Sequence, residues 1–329
     1  MAKQLTPTNK SRLDPELGAI LSTLKMGEKP GSEVDTHQLR AWFEGLMGNV
    51  MRILPYPEHI HETKIPIQAR DGTTMTLHRF ATHEMAESPT PQPAVLHVHG
   101  GGMISSSVSL YAPAIANYVA RAGVPFFSVE YRLAPEHPGD GPVTDVYAAL
   151  DYISAHAGEW NVDPARLAVM GDSAGGGLAA GAALLARDRK LTPPLAKQIL
   201  IYPMLDDRTG FRGDGALDPY HFWTAAYNRT AWEAVLGAGR AGAADAEVPI
   251  HVAPGRARDL SGLPSTYVEI GGLDLFVGET AAFVERLVAG DVDVEFHLLP
   301  GLVHGFDCFG LLSWAQKAME AKVRALKSF

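Results

Sequence analysis

The sequence contains almost no cysteine, since Cys308 is the one thiol in 329 residues. A single cysteine excludes an internal disulfide framework and the zinc sites that CxxC pairs form. The formal net charge is −9, and lysine and arginine form no cluster along the chain. Because phosphate contacts require clustered basic side chains, we expect no nucleic-acid partner.

Long apolar runs are also missing. The longest, Leu178–Ala186, is interrupted by Gly181 and reaches about half the length that a membrane-spanning helix needs. Residues 1–20 contain no apolar segment of the kind found in signal peptides. We therefore expect a cytoplasmic protein with no membrane insertion.

Histidines and carboxylates cluster at one place, Glu58-His59 and His61-Glu62. Two histidines two positions apart do not share a helix face, and they do not match the HExxH pattern of zinc enzymes. The sequence therefore predicts no metal site.

The composition is that of an ordinary globular protein, 46% hydrophobic and 20% charged. At about 100–200 residues per domain, the chain forms one large domain or two modest ones. The first part of the chain has helical periodicity over Pro15–Leu24 and Leu39–Ile53. Farther along, Thr63–Ala69 and Met75–Ala81 predict two strands around a turn at Asp71-Gly72.

Strands and helices then alternate along most of the chain. The further predicted strands are Ala94–Val98, Pro125–Tyr131, Leu167–Met170, Gln198–Tyr202, Ser265–Ile270 and Val294–Leu299. The further predicted helices are Tyr111–Arg121, Val143–His156, Gly175–Arg187, Glu279–Leu287 and Ser313–Leu326. This spacing is typical of βαβ crossovers. The predicted fold class is therefore α/β, with a mostly parallel eight-stranded sheet and helices on both faces.

One segment, residues 206–252, breaks this alternation. It is polar and glycine-rich, and its aromatic cluster includes Tyr220, Phe222 and Trp223. No strand pattern fits it, and a helix is predicted over Phe222–Leu236. We interpret the segment as an insertion into the α/β body.

The strongest local motif is Gly171-Asp172-Ser173-Ala174-Gly175, which follows an apolar strand and opens a helix. A nucleophile elbow requires this context, because a tight strand-to-helix turn presents the serine hydroxyl at the edge of the sheet. Flanking glycines leave room for the neighbouring backbone. The alternative is an ordinary glycine-rich turn.

A second motif, His99-Gly100-Gly101-Gly102, directly follows the strand Ala94–Val98. Consecutive glycines allow bare N–H groups to face one point, as an oxyanion hole requires. A phosphate-binding loop is the alternative, but no Lys-Ser/Thr follows and no GxGxxG spacing fits. We interpret His99 as a residue that shapes the loop.

A serine nucleophile needs a base, and the base needs an orienting acid. In hydrolases with an elbow serine, the acid and then the histidine follow the serine in the chain. Of the histidines after Ser173, His304 lies in a loop past the last predicted strand, at the carboxyl edge of the sheet. Asp274 follows the strand Ser265–Ile270 at the same edge, and Glu279 is the second candidate for the acid.

Together these motifs resemble the hormone-sensitive-lipase family of α/β-hydrolase esterases, also called bacterial family IV. The resemblance covers roughly Ala94 to Phe306. It rests on HGGG, on Glu130-Tyr131-Arg132-Leu133-Ala134-Pro135-Glu136-His137-Pro138, on GDSAG, on Asp274 through Glu279 and on His304-Gly305-Phe306.

The resemblance implies the α/β-hydrolase fold, a catalytic triad of Ser173, Asp274 and His304, and no cofactor. It also implies an oxyanion hole made by the N–H groups of Gly100, Gly101 and Ala174. The chain departs from the family at Leu275-Phe276-Val277-Gly278, where an Arg-Asp pair is missing, and at Met103, where an aromatic residue is common. These departures concern substrate shape and loop packing.

The family also has a helical cap, and two segments of this chain fall where its parts would lie. We expect 1–55 and 206–252 to form the cap, and 56–205 and 253–329 to form the α/β-hydrolase core. The predicted substrate-pocket residues are Met103, Tyr220, Phe222 and Trp223, the last three of which are alternatively cap core.

The expected function is that of a serine carboxylesterase for short to medium acyl esters, with a small-molecule ester as its partner. A lactone, amide or thioester substrate stays open, because the motifs do not separate these acyl groups. A non-catalytic small-molecule receptor on the same fold is disfavoured, because the triad is complete. A homodimer is also left open.

Overall fold

The computed structural model describes residues 12–23, 29–211 and 221–329. Within these residues, one sheet of eight strands forms the centre of the molecule. The strands are β1 (His61–Gln68), β2 (Thr74–Ala81), β3 (Gln92–Val98), β4 (Phe126–Val129), β5 (Val162–Asp172), β6 (Lys197–Ile201), β7 (Ser265–Gly271) and β8 (Val294–Leu299).

The strand order across the sheet is β1-β2-β4-β3-β5-β6-β7-β8. Strand β2 runs antiparallel to both β1 and β4, and every other neighbouring pair is parallel. The predicted α/β fold class with a mostly parallel eight-stranded sheet is therefore confirmed. Because β3, β5, β6, β7 and β8 are parallel, the loops that follow them meet at one carboxyl edge.

Helices of the described residues alternate with the strands. They are α1 (Pro15–Thr23), α2 (Thr36–Arg52), α3 (His83–Glu87), α4 (Val108–Ala122), α5 (Gly141–Ala155), α6 (Ala174–Asp188), α7 (Ala225–Leu236), α8 (Val277–Ala289) and α9 (Ser313–Leu326).

Local signals explain where these elements begin and end. The Ser107 hydroxyl caps α4 by accepting from the Leu110 N–H, so the helix begins three residues before the predicted start at Tyr111. It ends at Gly123, whose φ of 69° is left-handed. Strand β5 begins earlier than predicted, because Val162 pairs with Gln92 ahead of a register shift.

Helix α6 packs unusually close to its surroundings because its sequence is rich in glycine and alanine. All thirteen residues from Ala174 to Ala186 are buried. At Gly177, an added Cβ would lie 2.0 Å from the Met204 carbonyl oxygen. This close approach brings the loop after β6 directly over the start of α6.

The helix of the insertion, α7, packs against the N-terminal helix α2. The Trp42 ring lies 5.6 Å from that of Tyr227, and the Phe43 ring lies 5.8 Å from that of Trp223. The Tyr227 hydroxyl also donates to the Pro30 carbonyl. Helix α7 begins at Ala225, three residues after the predicted start, because Thr224 caps it.

Helix α1 contacts the other end of the chain. The Asp14 N–H donates to the Gly301 carbonyl, and the Trp314 indole donates to the Asp14 carboxylate. Among the described residues, the structure contains no helix that combines the length and apolar character needed to cross a bilayer.

Two helical glycines provide a matched test of the packing of α6. Gly177→Ala should destabilise the fold by about 1–3 kcal/mol, because its Cβ would overlap the Met204 carbonyl. Gly45→Ala, on an exposed part of α2 with open space around it, should stabilise by up to about 1 kcal/mol. Denaturant unfolding of both variants measures the contrast, and equal effects would contradict it.

Candidate active site

Ser173 lies in a tight turn between β5 and α6. Its φ of 59° is positive, which is uncommon for a residue with a side chain. An added Cβ at Gly171 would lie 2.1 Å from the Gly175 carbonyl, and one at Gly175 would lie 2.0 Å from the Val98 carbonyl. Glycine is therefore required at both positions, and the turn has the geometry of a nucleophile elbow.

The structure brings Ser173, His304 and Asp274 into one hydrogen-bonded chain. His304 Nε2 lies 2.9 Å from Ser173 Oγ, and His304 Nδ1 lies 2.7 Å from Asp274 Oδ2. Asp274 is fully buried, and its other carboxylate oxygen accepts from the Phe276 N–H. A carboxylate at Nδ1 fixes the proton there, which leaves Nε2 free to accept from the serine hydroxyl.

Two aromatic rings contact the His304 imidazole. The Tyr202 ring centre lies 4.8 Å away, with its plane at 63° to the imidazole, and the Phe276 ring centre lies 5.2 Å away, nearly perpendicular to it. Tyr202 directly follows β6, and Phe276 follows Asp274 by two residues. These contacts limit the rotation of the imidazole between serine and aspartate.

The glycine loop after β3 lies beside the elbow. The ideal Cβ position of Gly100 is 3.3 Å from the Ser173 Cβ. Among the described residues, no hydrogen bond uses the N–H of Gly100 or Gly101. Ala174 is the first residue of α6, where a backbone N–H lacks an intrahelical acceptor. Three N–H groups are thus available next to the serine.

Helix α2 contacts this loop and the residues that follow β4. Arg40 donates to the carbonyl oxygens of Ile104 and Ala134 and forms an ion pair with Glu136 at 2.7 Å. Glu44 accepts from the Ser106 N–H. The loop that carries the glycine N–H groups is therefore held from the N-terminal part of the chain as well as from the sheet.

His99 has a structural position within the loop. It is fully buried, its Nδ1 donates to the Gly100 carbonyl at 2.8 Å, and its ring stacks on Tyr131 at 4.3 Å. Burial lowers the pKa of His99 to about 3. The imidazole is therefore neutral at physiological pH, which suits a hydrogen bond that shapes the loop.

The Glu279 carboxylate forms its hydrogen bonds away from His304. Its carboxylate oxygens accept from the Leu205 N–H at 2.6 Å and from the Thr209 hydroxyl. These contacts support the loop after β6. Asp274, and not Glu279, is the carboxylate in contact with His304.

A family description of the alpha/beta hydrolase fold matches residues 95–308 of the chain. The chain belongs to this α/β-hydrolase family. The resemblance to the hormone-sensitive-lipase family that the motifs indicated is therefore confirmed.

Relatives of this α/β-hydrolase include Carboxylesterase NlhH of Mycobacterium tuberculosis, 36% identical over 71% of this chain and 72% of that protein. Esterase LipI of Mycobacterium tuberculosis is 34% identical over 71% of each chain. Among solved structures, a Bacterial Heroin Esterase has a TM-score of 0.86 at 34% identity, covering 96% of this chain and 98% of that one.

The predicted pocket residues of this α/β-hydrolase take different positions. Met103 and Trp223 are buried, and the Trp223 ring lies against Gly102 of the glycine loop. Phe222 is half-buried, with its ring 6.1 Å from that of Phe309. Tyr220 lies outside the described residues.

A cavity of about 310 Å³ lies between α2, α4 and the start of α9, and no triad residue is among its lining residues. Asp172 and Tyr202, which neighbour the triad, line one part of it. Met47, Met51 and Leu54 of the N-terminal segment line another part. Met103, Phe222 and Trp223 are not among its lining residues.

Sequence reasoning missed Tyr202 and Arg40. The sequence predicts Tyr202 as the end of a strand, and its position at the carboxyl edge, directly after β6, is the available signal. Arg40 gave no local signal, because its carbonyl partners lie about sixty residues or more away in the chain. Among the described residues, no cluster of three or more possible ligands could hold a metal ion.

The burial of His99 predicts a pH-dependent contribution to stability. Its folded pKa is lowered, so its contribution is present above pH 6.5 and is lost as the pH falls toward 3. Relative to His99→Gln, which does not titrate, the wild type should lose up to about 1.4 kcal/mol per pH unit in this window. Unfolding titrations of both proteins measure the difference, and a pH-independent difference would contradict the assignment.

Proposed function

We propose that the protein is a serine carboxylesterase that acts on small-molecule esters without a cofactor. The observation that carries the proposal is the chain from Ser173 Oγ through His304 to Asp274, with distances of 2.9 and 2.7 Å. The esterase and carboxylesterase relatives support the reaction class.

In the proposed mechanism, Ser173 Oγ attacks the ester carbonyl carbon while His304 Nε2 takes the hydroxyl proton. Asp274 holds the imidazole and stabilises its positive charge. The N–H groups of Gly100, Gly101 and Ala174 donate to the oxyanion of the tetrahedral intermediate.

Collapse of this intermediate breaks the bond to the alcohol, which leaves with the proton from His304. Water then attacks the acyl group on Ser173, again giving a proton to His304. The acid is released, and the proton returns to the serine oxygen. Each half of the reaction uses the same three side chains.

We assign the acyl group of the substrate to the cavity of about 310 Å³. At roughly 30 Å³ per water-sized group, this volume holds about ten such groups. The methionines of α2 supply apolar contacts, and each buried CH₂ stabilises binding by about 0.8 kcal/mol until the space is filled. Short to medium acyl chains are therefore the proposed substrates.

The location, the domain division and the oligomeric state of the enzyme are also proposals. A cytoplasmic location agrees with the single cysteine, because disulfides are rare in reducing compartments. The division into a cap, 1–55 and 206–252, and a core is supported by the ring contacts of α2 with Trp223 and with Tyr227 of α7. A homodimer stays a prediction from the family resemblance.

The direct test is hydrolysis of an activated short-chain ester by the wild type and by two acid variants. Asp274→Asn should lower kcat by about 10⁴, because the amide stabilises the wrong tautomer of His304. Glu279→Gln, the control, should lower kcat far less, since its partners are Leu205 and Thr209. The reverse ranking would make Glu279 the triad acid, and a wild type without ester hydrolysis would refute the function.

The cavity predicts a dependence on acyl length. In a series of p-nitrophenyl esters, kcat/KM should rise from acetate to a medium chain and fall for palmitate. Met51→Trp, which fills the cavity from α2, should move the maximum to a shorter chain. An unchanged preference in this variant would place the acyl group elsewhere.

A further inference from the structure

A buried ionic cluster lies beneath the loop that carries His304. Lys322 of α9 is fully buried, and its Nζ lies 2.6 Å from Asp307 Oδ2 and 3.0 Å from Glu269 Oε1. A buried ammonium group is strongly unfavourable without such partners. The lysine is therefore committed to these two carboxylates.

Asp307 connects this cluster to the active site. Its Oδ1 accepts a hydrogen bond of 2.8 Å from the Tyr202 hydroxyl. The Tyr202 ring packs against the His304 imidazole, with 4.8 Å between the ring centres. A continuous series of contacts thus connects Lys322 with the His304 imidazole through Asp307 and Tyr202.

The charge distribution favours a strong hydrogen bond at this point. Burial opposes ionisation of Asp307, but the Lys322 ammonium and the bonds from Lys322 and Tyr202 hold its pKa below the usual value. Burial raises the pKa of Glu269. The charged form of Asp307 is therefore favoured beside Lys322, and hydrogen bonds to a charged acceptor are stronger than neutral ones.

The backbone of Tyr202 has a conformation that needs support. Its φ of 35° is positive, which for a bulky side chain is rare and costly. Its N–H donates to the Glu269 carbonyl at 2.7 Å, and the preceding Ile201 carbonyl accepts from the Ser173 N–H. Tyr202 is thus tied both to the elbow and, through Asp307, to the histidine loop.

We propose that Lys322, Asp307 and Tyr202 form a positioning relay that holds the His304 imidazole in line between Ser173 Oγ and Asp274. Asp307 follows His304 by three residues, in the 3-10 turn Phe306–Cys308, so the relay fixes the loop as well as the ring. The inference rests on the proposed function, since it assigns the three residues an effect on the same reaction. They act through His304 and have no role in bond making.

The alternative is that the cluster only stabilises the fold. A second buried tyrosine, Tyr267, provides a control that distinguishes this role from the positioning role. The Tyr267 hydroxyl donates to Glu269 Oε2 at 2.6 Å, on the other side of Lys322. Tyr267 is as buried as Tyr202, and its ring packs near His297, away from the triad. Tyr267→Phe therefore removes a comparable buried hydrogen bond without touching the imidazole.

The test compares Tyr202→Phe with Tyr267→Phe, using active sites counted with a fluorophosphonate. Tyr202→Phe should lower kcat about tenfold, a fraction of the roughly 10²-fold that a 1 Å misplacement can cost. Its KM should stay within about twofold of the wild type, because the ring remains. Tyr267→Phe should keep the wild-type kcat per titrated site.

A second pair of variants tests whether Asp307 and Tyr202 act on His304 through one shared contact. Asp307→Asn should lower kcat to a similar extent. The double variant with Tyr202→Phe should be no worse than the more impaired single variant, because both substitutions remove the same Tyr202–Asp307 hydrogen bond. The relay is overturned if Tyr202→Phe keeps wild-type kcat, if it raises KM alone, or if Tyr267→Phe is equally impaired.

The rate of Ser173 phosphonylation gives a readout that needs no ester turnover. It depends on the imidazole as base, and it should be slower in Tyr202→Phe and unchanged in Tyr267→Phe. If the wild type hydrolyses no ester, the proposed function fails while this rate still decides on the relay. Equal rates in both variants would overturn it.

Discussion

The close approach of backbone to backbone at the start of α6 is the constraint on which the site depends. Glycines at 171, 175 and 177 each face a carbonyl oxygen at about 2 Å from where a Cβ would lie. Only this packing lets the turn carry Ser173 at a positive φ and present it at the carboxyl edge. The loops after β3, β6, β7 and β8 then converge on the serine because the strands are parallel.

The loops at the carboxyl edge of the sheet are also contacted by the N-terminal part of the chain. Arg40 and Glu44 of α2 bind the glycine loop, and Asp14, directly before α1, contacts Gly301 in the loop that precedes His304. The N-terminal part of the chain therefore contacts both the loop that carries two of the proposed oxyanion donors and the segment that carries the base. Changes in this part of the chain can alter catalysis without altering any reacting group.

Much of the fold could be predicted from the sequence, because apolar periodicity and turn residues are local signals. The α/β fold class and the eight strands were predicted from these signals, and boundaries shifted where Ser107 and Thr224 cap helices. Ser173, Asp274 and His304 were found through motif context and chain order, and the structure brings them together at hydrogen-bond distance.

The remaining features depend on contacts between distant parts of the chain. Lys322 and Glu269 are separated by 53 residues, and no local pattern distinguishes Lys322 from an exposed helical lysine. The cavity that Tyr202 lines is likewise formed by α2, α4 and α9, which periodicity alone does not bring together. The aromatic residues of the insertion were a plausible pocket by composition, but Trp223 packs on α2 and on the glycine loop.

The central claim is that Ser173 is a nucleophile activated by His304. Intact-protein mass spectrometry after brief exposure to a fluorophosphonate tests it most directly. We predict one adduct per chain, located on Ser173, formed rapidly by the wild type and at a strongly reduced rate by His304→Ala. Labelling of another residue, or equal labelling rates in the two proteins, would contradict the account.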